Sequence, residues 1–185
     1  MRSLQGFMAF FALGIFSFWI LTVGTGQMSN GSAGADTLHL PDTTGRAVWA
    51  YLDSVKYAKA WRMWPGKSAF HKGTGPHGAL LTTYVNPLAY DPIATRAESM
   101  PDGVIIVMEN YSRDSALISH TVMYKKFRFD PDNGDWFWAN YAPDGKVMDA
   151  GKVQSCMECH SKAKSSDYLF TGPLAKRDTT QCNGG

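Results

Sequence analysis

The sequence predicts an α+β domain: a mostly antiparallel β-sheet with an amphipathic helix before it and a second helix after it. Three observations lead there. Apolar residues recur at helical spacing behind a run of capping residues, several later segments are rich in β-branched and aromatic side chains, and turn signals separate those segments.

The first helix begins at Asp42-Thr43-Thr44, whose side-chain oxygens suit the free N–H groups of a helix start. Val48, Tyr51, Leu52, Val55 and Ala58 follow on one helical stripe, so a single helix is predicted, ending before Pro65-Gly66. Gly73, Gly75, Pro76 and Gly78 then predict an irregular stretch, because glycine allows backbone angles that other residues avoid. Strands are predicted over residues 77–85, 103–111, 117–129 and 135–141, with a short last one at 146–150. Turns are explicit at Pro101-Asp102-Gly103, Arg113-Asp114, 130–134 and Pro143-Asp144-Gly145. Residues 87–97 predict a short helix between the first two strands, and residues 153–164 the closing helix.

Length and charge narrow the function classes. The chain has 185 residues, one domain's worth, and a formal net charge of +2, so its bulk composition carries no nucleic-acid-binding surface. Aromatic residues make up 13%, enough to build a substantial core. At the N-terminus, residues 7–23 are almost wholly apolar behind Arg2, which reads as an export signal. The run exceeds the roughly 7 to 15 residues usual for a cleaved signal and reaches the lower limit of about 17 for a spanning helix. The small-residue pattern Ala33-Gly34-Ala35 before Asp36 favours cleavage over a retained membrane anchor. Residues 1–35 are therefore expected to be a signal peptide or signal anchor, and residues 36–185 a single domain in the periplasm. Only retention of the N-terminal segment would bind it to the membrane. Losing Arg2 with that segment lowers the net charge from +2 to +1.

One motif carries chemistry: Cys156-Met157-Glu158-Cys159-His160. Covalent attachment of a c-type haem needs two thiols spaced for its two vinyl groups and an imidazole for its iron, and CxxCH supplies all three. On a helix, positions i, i+3 and i+4 share a face, so Cys156, Cys159 and His160 converge while Met157 and Glu158 point away. The motif thus predicts one covalent haem c on the closing helix, held by Cys156 and Cys159 with His160 on the iron. A disulfide, half a zinc site or a thioredoxin-like pair are weaker readings. Zinc would need two more ligands, and the redox pair a βαβ setting that this chain does not offer. No methionine occurs after His160, which excludes a methionine-ligated helix beyond the motif. The strand periodicity excludes a four-helix cytochrome.

The succession Trp64-Pro65-Gly66, Gly75-Pro76-His77-Gly78, Tyr84-Val85-Asn86, Pro101-Asp102-Gly103, Glu109-Asn110-Tyr111, Thr121-Val122-Met123-Tyr124-Lys125, Gly134-Asp135-Trp136-Phe137-Trp138, the CxxCH and Asp167-Tyr168-Leu169-Phe170 resembles the cytochrome P-460 family, which includes the β-type cytochromes c-prime. The resemblance covers most of residues 60–171. It implies an antiparallel sheet with flanking helices, a homodimer, and a haem whose distal side is open or blocked only by apolar side chains. It also implies two activities: oxidation of hydroxylamine or nitric oxide, and reversible gas binding without turnover. In the enzymatic members a lysine is cross-linked to the porphyrin, and in the gas-binding members a phenylalanine caps the distal face. Lys67 and Lys72 lie in the irregular segment, and no lysine occurs over residues 76–124. Phe70 is the candidate cap.

The expected function is that of an exported haem protein with five-coordinate iron, binding or oxidising small nitrogen species and passing electrons to a soluble cytochrome. The alternatives are a nitric oxide binding protein without turnover and a periplasmic electron carrier. Other conspicuous residues read more plainly. Lys67 and Lys72 are expected to be solvated loop charges, and His77 a local hydrogen-bonding group, with a place facing the haem or a propionate as its sharper reading. His120 is expected in the core and Met108 as packing, although its strand position lets it approach the iron. Trp136 and Trp138 share a strand face and are expected to wall the core or the haem edge. Arg113 and Arg128 read as surface charges. Cys182, in a Gly-rich tail, reads as a free thiol, with an intermolecular disulfide as the alternative.

Overall fold

The first helix, α1 (Gly45–Ser54), starts where the capping sequence predicts, with Thr44 Oγ1 accepting from the Ala47 N–H at 3.2 Å. These are the coordinates of a computed structural model that describes residues 40–73 and 75–171. The expected export segment over residues 1–35 and Cys182 lie outside the described residues. Among the described residues no helix is long and apolar enough to cross a membrane.

A ten-residue helix is marginal alone, and α1 is held by its buried stripe. Val48 and Leu52 are fully buried against the sheet, each contributing on the order of 1.5–3 kcal/mol. The single helix expected from the periodicity is broken. Lys56 takes a left-handed backbone (φ 51°) and starts a separate turn, α2 (Tyr57–Ala60). The break leaves Tyr57 buried, with its hydroxyl donating to Glu109 Oε1 at 2.8 Å. A hydrogen bond 52 residues away along the chain has overridden the local period.

The sheet is antiparallel throughout. Its central part is a meander of β3 (Leu80–Val85), β4 (Ile105–Tyr111), β5 (Leu117–Lys125), β6 (Trp136–Tyr141) and β7 (Val147–Gly151). Two strands of two residues each, β1 (Arg62–Met63) and β2 (His71–Lys72), pair with the outer edge of β3, β1 at Tyr84 and Val85 and β2 at Leu80 and Leu81. The order is β1-β3-β4-β5-β6-β7, with β2 beside β3. Between β3 and β4 runs α3 (Pro87–Thr95), and after β7 comes α4 (Gln154–His160), followed by a 3-10 segment, Ser161–Ser166.

Several boundaries moved for identifiable reasons. β3 starts at Leu80 rather than 77, after a glycine loop that crosses the end of β4; a Cβ on Gly78 would stand 2.5 Å from the Tyr111 backbone. β5 stops at Lys125 rather than running to 129, because Asp102 Oδ1 captures the Phe127 N–H at 2.6 Å and Arg128 turns left-handed (φ 63°). The closing helix stays α-helical only to His160.

Alternation along the strands sorts the core into two layers. Ile105, Val107, Val122, Tyr124, Phe137 and Tyr141 face α1. Val85, Ile106, Trp136 and Trp138 face the other way and pack with Ala89 and Ile93 of α3 and with Leu169. The second layer is where α4 docks.

Candidate functional site

The CxxCH motif occupies α4, so its three side chains sit at i, i+3 and i+4 of one helix. Cys156 and Cys159 are partly buried thiols. Burial pushes the Cys156 thiol up from its ordinary pKa. Cys156 packs on the second core layer, and so does Met157, which the helical spacing had placed on the far side. Glu158 does face outward, accepting from Gln154 Nε2 at 2.7 Å.

His160 is the best-defined member. Its Nδ1 lies 2.7 Å from the Tyr168 carbonyl oxygen. A carbonyl only accepts, so Nδ1 carries the proton and Nε2 is left with its lone pair, the arrangement a metal-binding imidazole needs. Burial pushes the ring's pKa down and the carbonyl contact opposes this, so the imidazole is neutral near pH 7. Trp138 packs on the ring at 4.6 Å between centroids and Phe170 at 5.1 Å. The Tyr168 carbonyl is aimed by two consecutive non-glycine residues in the left-handed region, Asp167 (φ 50°) and Tyr168 (φ 66°).

Cys159 and His160 open onto a cavity of about 420 Å³. That size falls within the roughly 300–1,000 Å³ range of small-molecule and cofactor sites. Its apolar wall comes from β3, β4 and β5 through Leu81, Ile106, Met108 and Met123, and from Trp64, Leu169 and Phe170. Its polar rim is basic: Lys67, His71, Lys72, His77 and Lys162, with no carboxylate among the described lining residues. Burial and the neighbouring His160 lower the pKa of His77.

Some expectations are corrected here. Lys67 and Lys72 are exposed, as expected, and both also stand at the cavity. His77 takes its sharper reading and faces the cavity, and Met108 forms part of the wall. Phe70 is not among the residues lining it: a left-handed backbone (φ 52°) and a hydrogen bond from its N–H to Thr82 Oγ1 accompany a ring tilted against Tyr111 at 4.7 Å and 46% exposure. His120 is buried on the opposite face of the sheet beside Trp49. Trp138 walls the His160 edge, whereas Trp136 lies in the core with its indole N–H on Asp167. Arg113 and Arg128 are exposed, as expected. His71, Lys162 and Met123 went unread as site residues. Met123 was accessible in principle, since strand alternation places it opposite Ile106 on the same face.

A family model described as cytochrome P-460 matches residues 58–171. The chain belongs to the cytochrome P-460 family. No curated protein matches it beyond that. Family membership implies a haem and chemistry on nitrogen species such as hydroxylamine. The described residues fit that group. His160 offers a neutral imidazole with Nε2 free, two thiols lie on the same helix, the wall is apolar and aromatic, and the rim's cations suit the two carboxylates of a haem.

Proposed function

We propose that this cytochrome P-460 family member is an exported c-type haem protein that oxidises a small nitrogen compound, hydroxylamine or nitric oxide. Cys156 and Cys159 would hold the one haem covalently, and His160 Nε2 would ligate its iron. The observation that carries the reading is the His160 Nδ1 contact to the Tyr168 carbonyl, which fixes the ligating tautomer on a helix that already carries both thiols. Bound there, the haem would supply a redox-active iron able to take electrons from the nitrogen species.

The chain's own residues do the rest. Met108, Met123, Ile106 and Leu81 give an apolar wall that limits water and disfavours charge beside the iron. Lys67, Lys72 and Lys162 set a positive rim that pairs with propionates. Two lysines at the cavity rim and a Phe70 ring outside the lining support oxidation over simple gas binding, since the family's enzymes use a lysine cross-link and its gas binders a phenylalanine cap. A soluble cytochrome as electron acceptor, a homodimer and a periplasmic location complete the proposal. The export segment supports the location, because c-type haem is attached after secretion in bacteria.

The absorption spectrum of the purified ferrous protein, with mass analysis of its haem peptides, tests this. A red-shifted Soret band and a haem peptide joined to Lys67 or Lys72 are the expected result. An ordinary high-spin c-type spectrum without such a peptide sinks the oxidase reading in favour of gas binding. The two cavity thioethers, Met108 and Met123, favour a second reading as an electron carrier with a sixth protein ligand. A low-spin spectrum in both redox states would establish that one instead.

A further inference from the structure

Asp167 sits one residue before the carbonyl that His160 engages, and its surroundings are unusual. Its carboxylate is buried and receives Lys125 Nζ at 2.7 Å on each oxygen, the Met100 N–H at 2.7 Å on Oδ2 and the Trp136 Nε1–H at 3.2 Å on Oδ1. The same indole N–H donates to the Asp167 main-chain oxygen at 3.0 Å. Lys125, the last residue of β5, is also buried. The pair therefore ties the turn after the 3-10 segment to two strands and to the loop before β4.

Stability does not account for such an arrangement. Removing two charges from water costs about as much as their attraction returns, and apolar replacements of similar volume often do as well. What the pair does achieve is conformational. Asp167 and Tyr168 both adopt left-handed backbones, which non-glycine residues hold only where the surroundings over-determine them. Tyr168 is pinned from the other side: its ring packs where a Cβ on Gly134 would stand 2.5 Å away, and its N–H donates to the Ala163 carbonyl at 2.9 Å. The product of these constraints is the placement of the Tyr168 carbonyl, and His160 Nδ1 lies 2.7 Å from it.

We propose that Lys125 and Asp167 are positioning residues for the iron ligand: their buried ion pair locks the turn that holds the Tyr168 carbonyl on His160. Through that carbonyl they fix the rotation and tautomer of the imidazole and the electron density it gives the iron. The inference rests on the haem reading above.

The test uses the full-length haem-loaded protein with Asp167→Asn, Lys125→Met and Trp136→Phe, the last removing one donor while leaving both charges. Covalent haem content, the midpoint potential and the iron–histidine stretching band of the ferrous protein are measured, with Thr44→Ala on the opposite face as a control for general destabilisation. Losing the clamp weakens the Nδ1 hydrogen bond, makes the imidazole a poorer donor and favours ferrous iron. The expected result is an upward shift of the potential and a lower, broader band in Asp167→Asn and Lys125→Met. A smaller shift of the same sign is expected in Trp136→Phe, a return towards wild type in Lys125→Arg, and none in Thr44→Ala. A wild type that carries haem while the clamp variants keep its potential and band overturns the clamp alone. A wild type without covalent haem overturns the haem reading and the clamp together.

Discussion

The indole of Trp138 and the imidazole of His160 pack at 4.6 Å between centroids, inclined by 56°. Trp138 belongs to β6 and His160 ends α4, so the candidate ligand side chain itself forms part of the contact between helix and sheet. Trp138 is almost fully buried and its indole N–H has no partner among the described residues. Trp138→Ala should cost about 3–5 kcal/mol through the cavity it leaves. Trp138→Phe should cost well under half as much, because it also removes an unpaired buried donor. Urea unfolding of the two variants checks the ratio, and equal losses would contradict it.

Removing the imidazole should leave a site that a free imidazole can fill. On the proposed attachment, the two thiols of His160→Gly should still hold the haem, and added imidazole should restore the wild-type absorption spectrum in a saturable titration. Covalent haem should disappear only when Cys156 and Cys159 are both replaced, as read by extraction into acidified organic solvent. A His160→Gly spectrum identical to wild type before any addition would remove His160 from the iron.

Stability should fall as pH drops below about 6.5. His120 is shifted down from 6.5, first by burial, against the opposing effects of the Ala142 carbonyl and Glu109. Above 6.5 both the folded and unfolded forms are neutral and nothing is lost. As pH falls through 6.5 the unfolded chain takes up a proton that the folded ring refuses, so the unfolded state gains until the lower folded pKa is passed. His77 is shifted in the same direction. His120→Gln should flatten the decline, measured by urea unfolding between about pH 5 and 8.

Thr44→Ala should cost about 1 kcal/mol, since it removes the side-chain oxygen that caps α1. The haem spectrum should not move, because α1 lies across the sheet from α4. Thermal unfolding together with the absorption spectrum checks both halves.

Much of the fold was legible because its signals are local. β-branched and aromatic content with the turns between marked all five meander strands, and Asp42-Thr43-Thr44 marked the start of α1, where Thr44 is the cap. The two-residue strands β1 and β2 were not, since a pair of residues has no period and exists as strand only by bonding to the edge of β3. The break at Lys56 was hidden for a similar reason: the Tyr57 to Glu109 bond that accompanies it spans 52 residues. In the site, Cys156, Cys159 and His160 were readable as a unit, whereas Phe70 was misread because its backbone sign and its partner Tyr111 appear only in three dimensions.

The sequence by itself determined the family, the α+β class and the haem motif, because CxxCH needs only the pitch of one helix to bring its side chains together. Only the tertiary structure decided what surrounds that motif. The basic rim draws Lys67, His77 and Lys162 from separate segments, and the clamp joins Lys125 to Asp167 across 42 residues. Contacts of that length depend on sheet register and on which face each strand turns inward, quantities set by the packing of the whole domain rather than by any stretch of chain.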